Sequence, residues 1–180
     1  MMQAIEKILI SEEELQNKVA ELAAQISRDY AGKELLVVSV LKGGFVFAAD
    51  LFRHLTIPAE VDFMAVSSYG ASSKSSGVVK IIKDLDQPVE GKDILIAEDI
   101  LDSGITLNHL KGLLLHRGVN SVKICTILNK PDRRKADIDP DYLGFDIPDE
   151  FVVGYGLDYA EKYRNLPFVG ILKREVYENN

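Results

Sequence analysis

Three short, almost continuous apolar runs constrain the fold of this chain more than any other feature. They cover residues 35–40, 94–97 and 122–128. Runs of this length and composition are typical of strands that are buried on both faces of a sheet. Residues 45–55 and 106–116, which alternate with these runs, have the length and composition of helices. The alternation predicts an α/β fold in which a mostly parallel central sheet carries helices on both faces.

One more helix and a hairpin can be predicted from local patterns. Ser11 and Glu14 have the spacing of a capping box, which predicts that a helix begins here. Residues 59–67 and 78–82 have the composition of two strands that pair as a long hairpin. The residues between them, 68–77, are small, polar and without periodicity. This composition predicts a long flexible loop at the end of the hairpin.

Charge and composition argue against several classes of function. The chain has 21 Lys and Arg against 28 Asp and Glu, a formal net charge of −7, and would repel a nucleic-acid backbone. No apolar run approaches the roughly 20 residues that a membrane-spanning helix needs, and no long apolar signal segment opens the sequence. The single cysteine, Cys125, cannot form an internal disulfide. We therefore expect no nucleic-acid partner, no membrane association and a cytoplasmic location.

Three carboxylates within five residues follow the second apolar run. Glu98, Asp99 and Asp102 would repel one another at a buried strand end unless a metal ion or sugar hydroxyls compensated them. The next residues, 103–106, supply hydroxyls and backbone N–H groups at a helix N-terminus, which is a ready site for phosphate. The acids could instead simply cap the helix, but that explanation leaves Glu98 and Asp99 without a role. A ribose 5-phosphate has the matching groups.

Residues 94–107 resemble the phosphoribosyl diphosphate (PRPP) binding motif of the purine phosphoribosyltransferases. A hydrophobic run is followed by two acids, two apolar residues and Asp-Ser-Gly-x-Thr. Ser103 stands where threonine is commoner, and it keeps the hydroxyl. The resemblance extends over nearly the whole chain, to the hypoxanthine-guanine phosphoribosyltransferases in particular. The other matching segments are 41–44, 68–70, 128–131, 151–159 and Arg164.

The resemblance implies one phosphoribosyltransferase domain over residues 1–180. A small hood subdomain would be built mainly from the N-terminal segment and residues after about 131, and 68–77 would be the flexible loop. The implied reaction transfers the 5-phosphoribosyl group from PRPP to N9 of a 6-oxopurine with Mg²⁺, giving IMP or GMP and pyrophosphate in purine salvage. Relatives form dimers or tetramers, so we expect a homo-oligomer. The sequence does not choose between these two states, or between hypoxanthine, guanine and xanthine.

The same resemblance assigns site residues. The PRPP-binding set is Lys42, Gly43, Gly44, Glu98, Asp99, Asp102, Ser103, Gly104, Ile105, Thr106 and Arg164. The catalytic residues are Asp102, a general acid or base at purine N7, and Lys130, a donor to O6. The purine-binding set is Lys130, Phe151, Val152 and Asp158. The metal ligands are Glu98, Asp99 and Asp158, and Glu98 and Asp99 would contact the ribose hydroxyls directly or through Mg²⁺. Ser68 and Tyr69 of the loop would reach the reacting centre.

Other classes of function are less well supported. A PRPP-sensing regulator would need a basic face or an added DNA-binding domain. A kinase or dehydrogenase would carry G-x-x-x-x-G-K-[ST] or G-x-G-x-x-G after a strand, and neither motif occurs there. A nonenzymatic binding domain would lack groups needed for turnover, but Asp102, Lys130 and Arg164 are present. The basic run 133–135 fits a solvated loop or a subunit contact. An enzyme is therefore the favoured interpretation.

Overall fold

The computed structural model of the chain describes residues 1–68 and 79–178. Its helices are α1 (Glu12–Asp29), α2 (Phe45–His54), α3 (Ile105–His116) and α4 (Arg174–Tyr177). Its strands are β1 (Ile5–Ile10), β2 (Leu35–Leu41), β3 (Ala59–Ser68), β4 (Val79–Lys83), β5 (Asp93–Leu101), β6 (Ser121–Asn129), β7 (Tyr142–Asp146), β8 (Val152–Val153) and β9 (Val169–Leu172). Short 3-10 turns occur at Met2–Ala4 and Pro131–Arg133.

The larger sheet has six strands in the order β4-β3-β2-β5-β6-β7. Strands β3 and β4 pair antiparallel, and the other neighbours pair parallel. The carboxyl ends of β2, β5 and β6 therefore lie along one edge, where ligands bind in sheets of this type.

Helices cover both faces of this sheet, and strand β2 shows how the sequence produces the two layers. Successive side chains of a strand point to opposite faces. Val37 packs into a core shared with Phe47 of α2, whereas Val38 packs into a second core with Leu110 of α3. The near-continuous apolar sequence of β2 thus supplies both cores at once. The predicted α/β fold, with a mostly parallel sheet and helices on both faces, is confirmed.

The predicted helix start at Ser11 is also confirmed. The Ser11 hydroxyl accepts a hydrogen bond from the Glu14 backbone N–H at 3.3 Å, and the Glu14 carboxylate accepts one from the Ser11 N–H at 2.8 Å. This reciprocal pair satisfies two backbone donors that would otherwise lack partners in the first turn of α1.

A smaller antiparallel sheet has the order β1-β9-β8. Ile5 pairs with Leu172, and Val152 pairs with Ile171, so the sheet joins segments from both ends of the chain. These segments come from the regions that the resemblance assigns to a hood. That the chain is one domain with a separate hood stays a prediction. Strands β1 and β7 were not predicted from the sequence.

The structure tests the predicted hairpin, but most of the predicted flexible loop lies outside the described residues. Strands β3 and β4 pair antiparallel as predicted. The predicted flexible loop 68–77, with Tyr69, lies outside the described residues except for Ser68, which ends β3. Within residues 1–68 and 79–178, the structure contains no helix long and apolar enough to cross a membrane.

Candidate active site

The sequence pattern predicted that Glu98 and Asp99 lie in a loop after the strand. The structure instead places both residues inside strand β5. The strand continues because its pairing with β6 extends to Leu101 opposite Asn129. Both carboxylates are consequently buried, with 9% of Glu98 and 7% of Asp99 exposed. They stand at the carboxyl edge of the sheet, where the predicted site lies.

This pair of carboxylates is electrostatically unfavourable without a ligand. Burial and the neighbouring Asp99 raise the pKa of Glu98 well above its ordinary value, and burial also raises the pKa of Asp99. In the described ranges, no lysine or arginine forms an ion pair with either side chain. A divalent cation would supply the missing charge, and two oxygen donors suit Mg²⁺, which usually completes its coordination with substrate phosphates and water.

The predicted third metal ligand does not join them. The part of the chain that the structure describes contains no group of three or more His, Cys, Asp or Glu residues arranged to hold a metal. Asp158 forms an ion pair with Arg164 at 2.9 Å. The donor set for a metal is therefore the adjacent pair Glu98 and Asp99, and ligand oxygens would have to complete it.

The loop after β5 forms a pocket at the N-terminus of α3. Gly104 is the N-cap residue and has φ +77°, a left-handed conformation in which a side chain is strained. Ser103 Oγ accepts a hydrogen bond from the Ile105 N–H at 3.4 Å, and Thr106 lies in the first turn of the helix. The pocket has a volume of 270 Å³. Its lining is Val40, Glu98, Asp99, Ile100, Leu101, Asp102, Ser103, Gly104, Thr106 and Leu107.

The turn after β2 approaches the carboxylate pair directly. The peptide bond between Leu41 and Lys42 is cis. A Cβ atom placed on Gly43 would collide with the Asp99 carboxylate, so a larger residue would require the turn or the carboxylate to move. The structure thus brings the turn and the acidic pair together, as the sequence predicted for two segments that follow parallel strands.

Asp102 and Lys130 lie at the ends of adjacent strands. Lys130 is buried and donates a hydrogen bond to the Glu150 carbonyl at 2.7 Å. Its backbone N–H donates to the Leu101 carbonyl at 3.0 Å, which fixes it beside the loop that carries Asp102. Arg133 Nε lies 2.9 Å from Oδ1 of Asp102. Arg133, which the sequence placed in a solvated loop or a subunit contact, is therefore part of the site's electrostatics.

Phe151 and Val152 follow Glu150, whose carbonyl accepts the hydrogen bond from Lys130, at the start of β8. Val152 is buried in β8, and its neighbour Phe151 keeps 39% of its surface exposed. The Phe151 ring stacks on Tyr177 at a centroid distance of 4.9 Å and meets Tyr159 edge-on at 5.7 Å. An exposed ring held in place by two others is a suitable surface for stacking a planar base.

A cluster of four charged side chains links the turn after β2 to residues 158–164. Arg164 Nη2 lies 2.9 Å from Asp158 Oδ1 and 3.4 Å from Glu161 Oε1. Lys42 Nζ lies 2.7 Å from Glu161 Oε2. The cluster thus contains both cations that the resemblance assigns to the phosphate groups of PRPP.

The turn that carries Glu161 has an unusual backbone. Tyr159 and Lys162 exchange two backbone hydrogen bonds of 3.1 and 3.0 Å around Ala160 and Glu161. Ala160 has φ +51° and Glu161 has φ +63°, so this is a two-residue type I′ turn made without glycine. The left-handed conformation costs a residue with a side chain about 1 kcal/mol or more.

A second left-handed segment, Gly154-Tyr155-Gly156, packs against the turn after β2 and against Arg164. All three residues have positive φ values. A Cβ atom on Gly156 would collide with the Gly43 carbonyl, and the Gly156 carbonyl accepts a hydrogen bond from Arg164 Nη1 at 2.8 Å. The Tyr155 hydroxyl donates to Asp50 Oδ2 of α2 at 2.7 Å. Tyr155 therefore links this segment to α2, the helix that follows the turn after β2.

Replacing Tyr155 by phenylalanine is expected to lower the free energy of unfolding by about 1 to 2 kcal/mol. The substitution removes the donor of a buried hydrogen bond and leaves one Asp50 oxygen with fewer partners. For a chain of this length the melting temperature should fall by roughly 2 to 8 °C, measured by thermal denaturation.

Tyr30→Phe is the matched control for that measurement. Tyr30 is 2% exposed, and its hydroxyl has no hydrogen-bond partner among the residues described. Its removal should therefore cost little or nothing. Equal losses for the two variants would contradict the role given to the bond between Tyr155 and Asp50.

Most predicted site residues thus gather at one edge of the sheet, but others that contact them were missed. Glu161 carries no sequence signal of its own, because its contact with Lys42 joins segments far apart in the chain. Tyr155 lies in the matching segment 151–159, but no role was predicted for it. Arg133 does have a signal, because it lies three residues after Lys130. The 3-10 turn Pro131–Arg133 then directs it back toward the site. The Ser68 side chain and Tyr69 are not among the described groups.

Comparison with known proteins gives a consistent result. The model of the phosphoribosyl transferase domain matches residues 10–160. The hypoxanthine-guanine phosphoribosyltransferase of Bacillus subtilis (strain 168) is 59% identical over 175 residues, which are 97% of each chain. A hypoxanthine phosphoribosyltransferase structure from Staphylococcus aureus superposes with a TM-score of 0.96 at 52% identity, covering 98% of this chain and 96% of that one. The hypoxanthine phosphoribosyl transferase of Trypanosoma cruzi gives a TM-score of 0.93 at 40% identity, over 98% and 96% of the two chains.

Proposed function

The chain belongs to the phosphoribosyltransferase family, and on this basis we propose that it transfers the 5-phosphoribosyl group of PRPP to N9 of hypoxanthine or guanine. The products are IMP or GMP and pyrophosphate, as purine salvage requires. The observation that carries the proposal is the meeting of two features at one edge of the sheet. The buried pair Glu98 and Asp99 lines the same pocket as the residues at the N-terminus of α3.

The donor is held at both ends in this proposal. The 5-phosphate lies in the pocket of residues 102–106, where backbone N–H groups and the hydroxyls of Ser103 and Thr106 can donate hydrogen bonds. The pyrophosphate lies against the turn after β2 and near Arg164, whose planar guanidinium suits phosphate oxygens. Because the two anchors are at opposite ends of the ribose, the sugar is oriented with C1 toward the base.

The carboxylate pair is where the metal fits. Glu98 and Asp99 would provide its oxygen ligands and contact the ribose hydroxyls, directly or through the metal, whereas Asp158, which the family resemblance also assigns, is not grouped with them among the described residues. When bound, Mg²⁺ neutralises charge on the pyrophosphate and so makes it a better leaving group. The protein's own contribution is to hold the two acids buried and adjacent, where no lysine or arginine of the described residues forms an ion pair with them.

In this proposal the purine is held by Phe151, Lys130, Val152 and Asp102. Phe151 stacks on the ring, and Lys130 donates to O6, which favours 6-oxopurines over adenine. Val152 contacts the base through its backbone. Asp102 faces N7 and accepts or returns a proton while N9 attacks C1, so charge on the base is balanced as the bond to pyrophosphate breaks. We place this reaction in the cytoplasm, and we propose that the enzyme works as a homo-oligomer.

The test is nucleotide formation from hypoxanthine, guanine, xanthine and adenine in parallel, with PRPP and Mg²⁺. We expect turnover of hypoxanthine or guanine, little turnover of adenine, and a loss of at least about 100-fold when EDTA removes the metal. If no base turned over while calorimetry still detected PRPP binding, the chain would be a PRPP-binding protein and the enzymatic proposal would be wrong.

Two lysine variants sharpen this test. Lys130→Met keeps the length of the buried side chain but removes the donor to O6, so the preference for 6-oxopurines over adenine should weaken. Lys135→Met changes an exposed lysine of the same loop and should leave the preference unchanged. Identical base preferences in the two variants would show that O6 is read by another group.

A further inference from the structure

Glu161 is the one anion of the four-residue cluster that contacts both cations. Its two carboxylate oxygens lie 2.7 Å from Lys42 Nζ and 3.4 Å from Arg164 Nη2. Asp158, the other acid, contacts Arg164 through Oδ1 and accepts the Glu161 backbone N–H through Oδ2 at 2.9 Å. The Glu161 carboxylate therefore spans the gap between the turn after β2 and Arg164.

This gap is also where the proposed function needs an anion. A cavity of 550 Å³ opens there, lined by Leu41, Lys42, Phe45, Phe63, Glu161 and Arg164. Among the described residues that line this cavity, Lys42 and Arg164 are the cations available to a pyrophosphate. Both now have a carboxylate within ion-pair distance, and the positive charge that would attract a phosphorylated ligand is largely neutralised.

The backbone gives independent evidence that this contact has a function. Glu161 occupies the second central position of a type I′ turn, at φ +63°, where glycine or asparagine is strongly preferred. Strained residues with a side chain concentrate at ligand-binding and switch sites. A glycine in this position would relieve the strain but would leave no carboxylate facing Lys42 and Arg164.

From the contacts and the backbone together, we propose that Glu161 is an internal competitor of the pyrophosphate group. Its carboxylate occupies Lys42 and Arg164 in the free enzyme and leaves them when the pyrophosphate of PRPP binds. Glu161 thereby sets the affinity for the donor and for the product pyrophosphate, and it does not affect the base. This inference rests on the proposed function, because the proposed function identifies pyrophosphate as the ligand that displaces the Glu161 carboxylate.

The direction of the expected effect distinguishes competition from structural support. Removing a supporting residue weakens binding, whereas removing a competitor strengthens it. Both ion pairs are exposed at the carboxylate, with 64% of the Glu161 side chain accessible, so each contributes modestly. Their loss together should tighten pyrophosphate binding by roughly three- to tenfold.

The experiment compares the full-length wild type with Glu161→Gln, which keeps the shape of the side chain and removes its charge. Calorimetric titration with magnesium pyrophosphate should give about three- to tenfold tighter binding to the variant. The KM for PRPP should fall by a similar factor, and the KM for hypoxanthine should not change. The advantage should shrink between about 50 mM and 500 mM salt, because salt screens exposed charges.

Two further variants control the measurement. Glu21→Gln removes a carboxylate that is 67% exposed and lies 2.9 Å from Lys18, a comparable pair far from the site, and it should bind pyrophosphate as the wild type does. Glu161→Asn removes the charge and also suits the left-handed backbone, so it should bind tightly and melt at a higher temperature than the wild type.

Each outcome bears on the proposal. Unchanged or weaker binding in Glu161→Gln, with an active wild type, would overturn the competitor role and leave the proposed reaction intact. A wild type that neither forms nucleotide nor binds magnesium pyrophosphate would overturn both. Tighter binding in both Glu161 variants, with Glu21→Gln unchanged, supports the competitor role.

Discussion

Asp102→Asn is expected to lower kcat by about 10²- to 10⁴-fold, the usual range for loss of a general acid or base. The substitution keeps the size of the side chain, but an amide cannot accept or return the N7 proton. Asp102 is 40% exposed and lines the pocket beside the carboxylate pair, so its chemistry is accessible to a bound base. Initial rates with saturating PRPP and hypoxanthine measure the effect.

PRPP binding by Asp102→Asn should change little, because Asp102 contributes its backbone to the phosphate pocket and the substitution leaves that backbone in place. Calorimetry with PRPP checks this separation of binding from chemistry. Asp132→Asn, a substitution at an exposed acid on the neighbouring 3-10 turn, should have wild-type kcat. A kcat within about threefold of wild type for Asp102→Asn would mean that another group handles the proton.

Gly43→Ala is expected to lower kcat/KM for PRPP by about 100-fold or more. Only one methyl group is added, but it would collide with the Asp99 carboxylate. Either the turn or the carboxylate must move, and a displacement of about 1 Å at a reacting centre can cost 100-fold. Steady-state kinetics with PRPP as the varied substrate measure the loss, and circular dichroism shows that the fold is retained.

Gly112→Ala makes the same chemical change where the structure has room for it. Nothing lies within 4 Å of a Cβ atom at Gly112, in the interior of α3. Alanine favours the helix by about 0.5 to 1 kcal/mol, so this variant should be more stable and fully active. If Gly43→Ala also kept its kcat/KM for PRPP, the close approach to Asp99 would not matter for donor binding.

The fold could be predicted from the sequence wherever one periodicity dominates. Strand β2 and most of β6 are buried on both faces, and their mostly apolar composition indicates this without tertiary information. Strand β5 was predicted too short, because Glu98 and Asp99 have the composition of a loop. Pairing with β6 overrides that local preference and keeps both acids in the sheet. The position of the site at the carboxyl edge followed from the parallel order alone.

Contacts between distant side chains could not be predicted in this way. Lys42 and Glu161 are separated by 119 residues, and no pattern near either residue indicates the other. The pairing of Arg133 with Asp102 likewise depends on a turn and on side-chain conformations. Strand β1 was missed for a related reason: register shifts interrupt its pairing with β9, and its partner lies far away in sequence.

The part of the proposed site that binds phosphate and the part that binds the base depend on different contacts during folding, because only the second part needs the smaller sheet. Strand β9 lies between β1 and β8, and its Leu172 N–H donates to the Phe151 carbonyl at 2.8 Å. The phosphate pocket is formed by neighbouring strands from the middle of the chain, whereas the smaller sheet, which carries Val152, is completed only by β1, whose Ile5 pairs with Leu172 near the other end of the described chain. Such contacts are slow to form, because a long loop must close before they become favourable. During folding, the chain should therefore acquire its phosphate pocket before it can recognise a base.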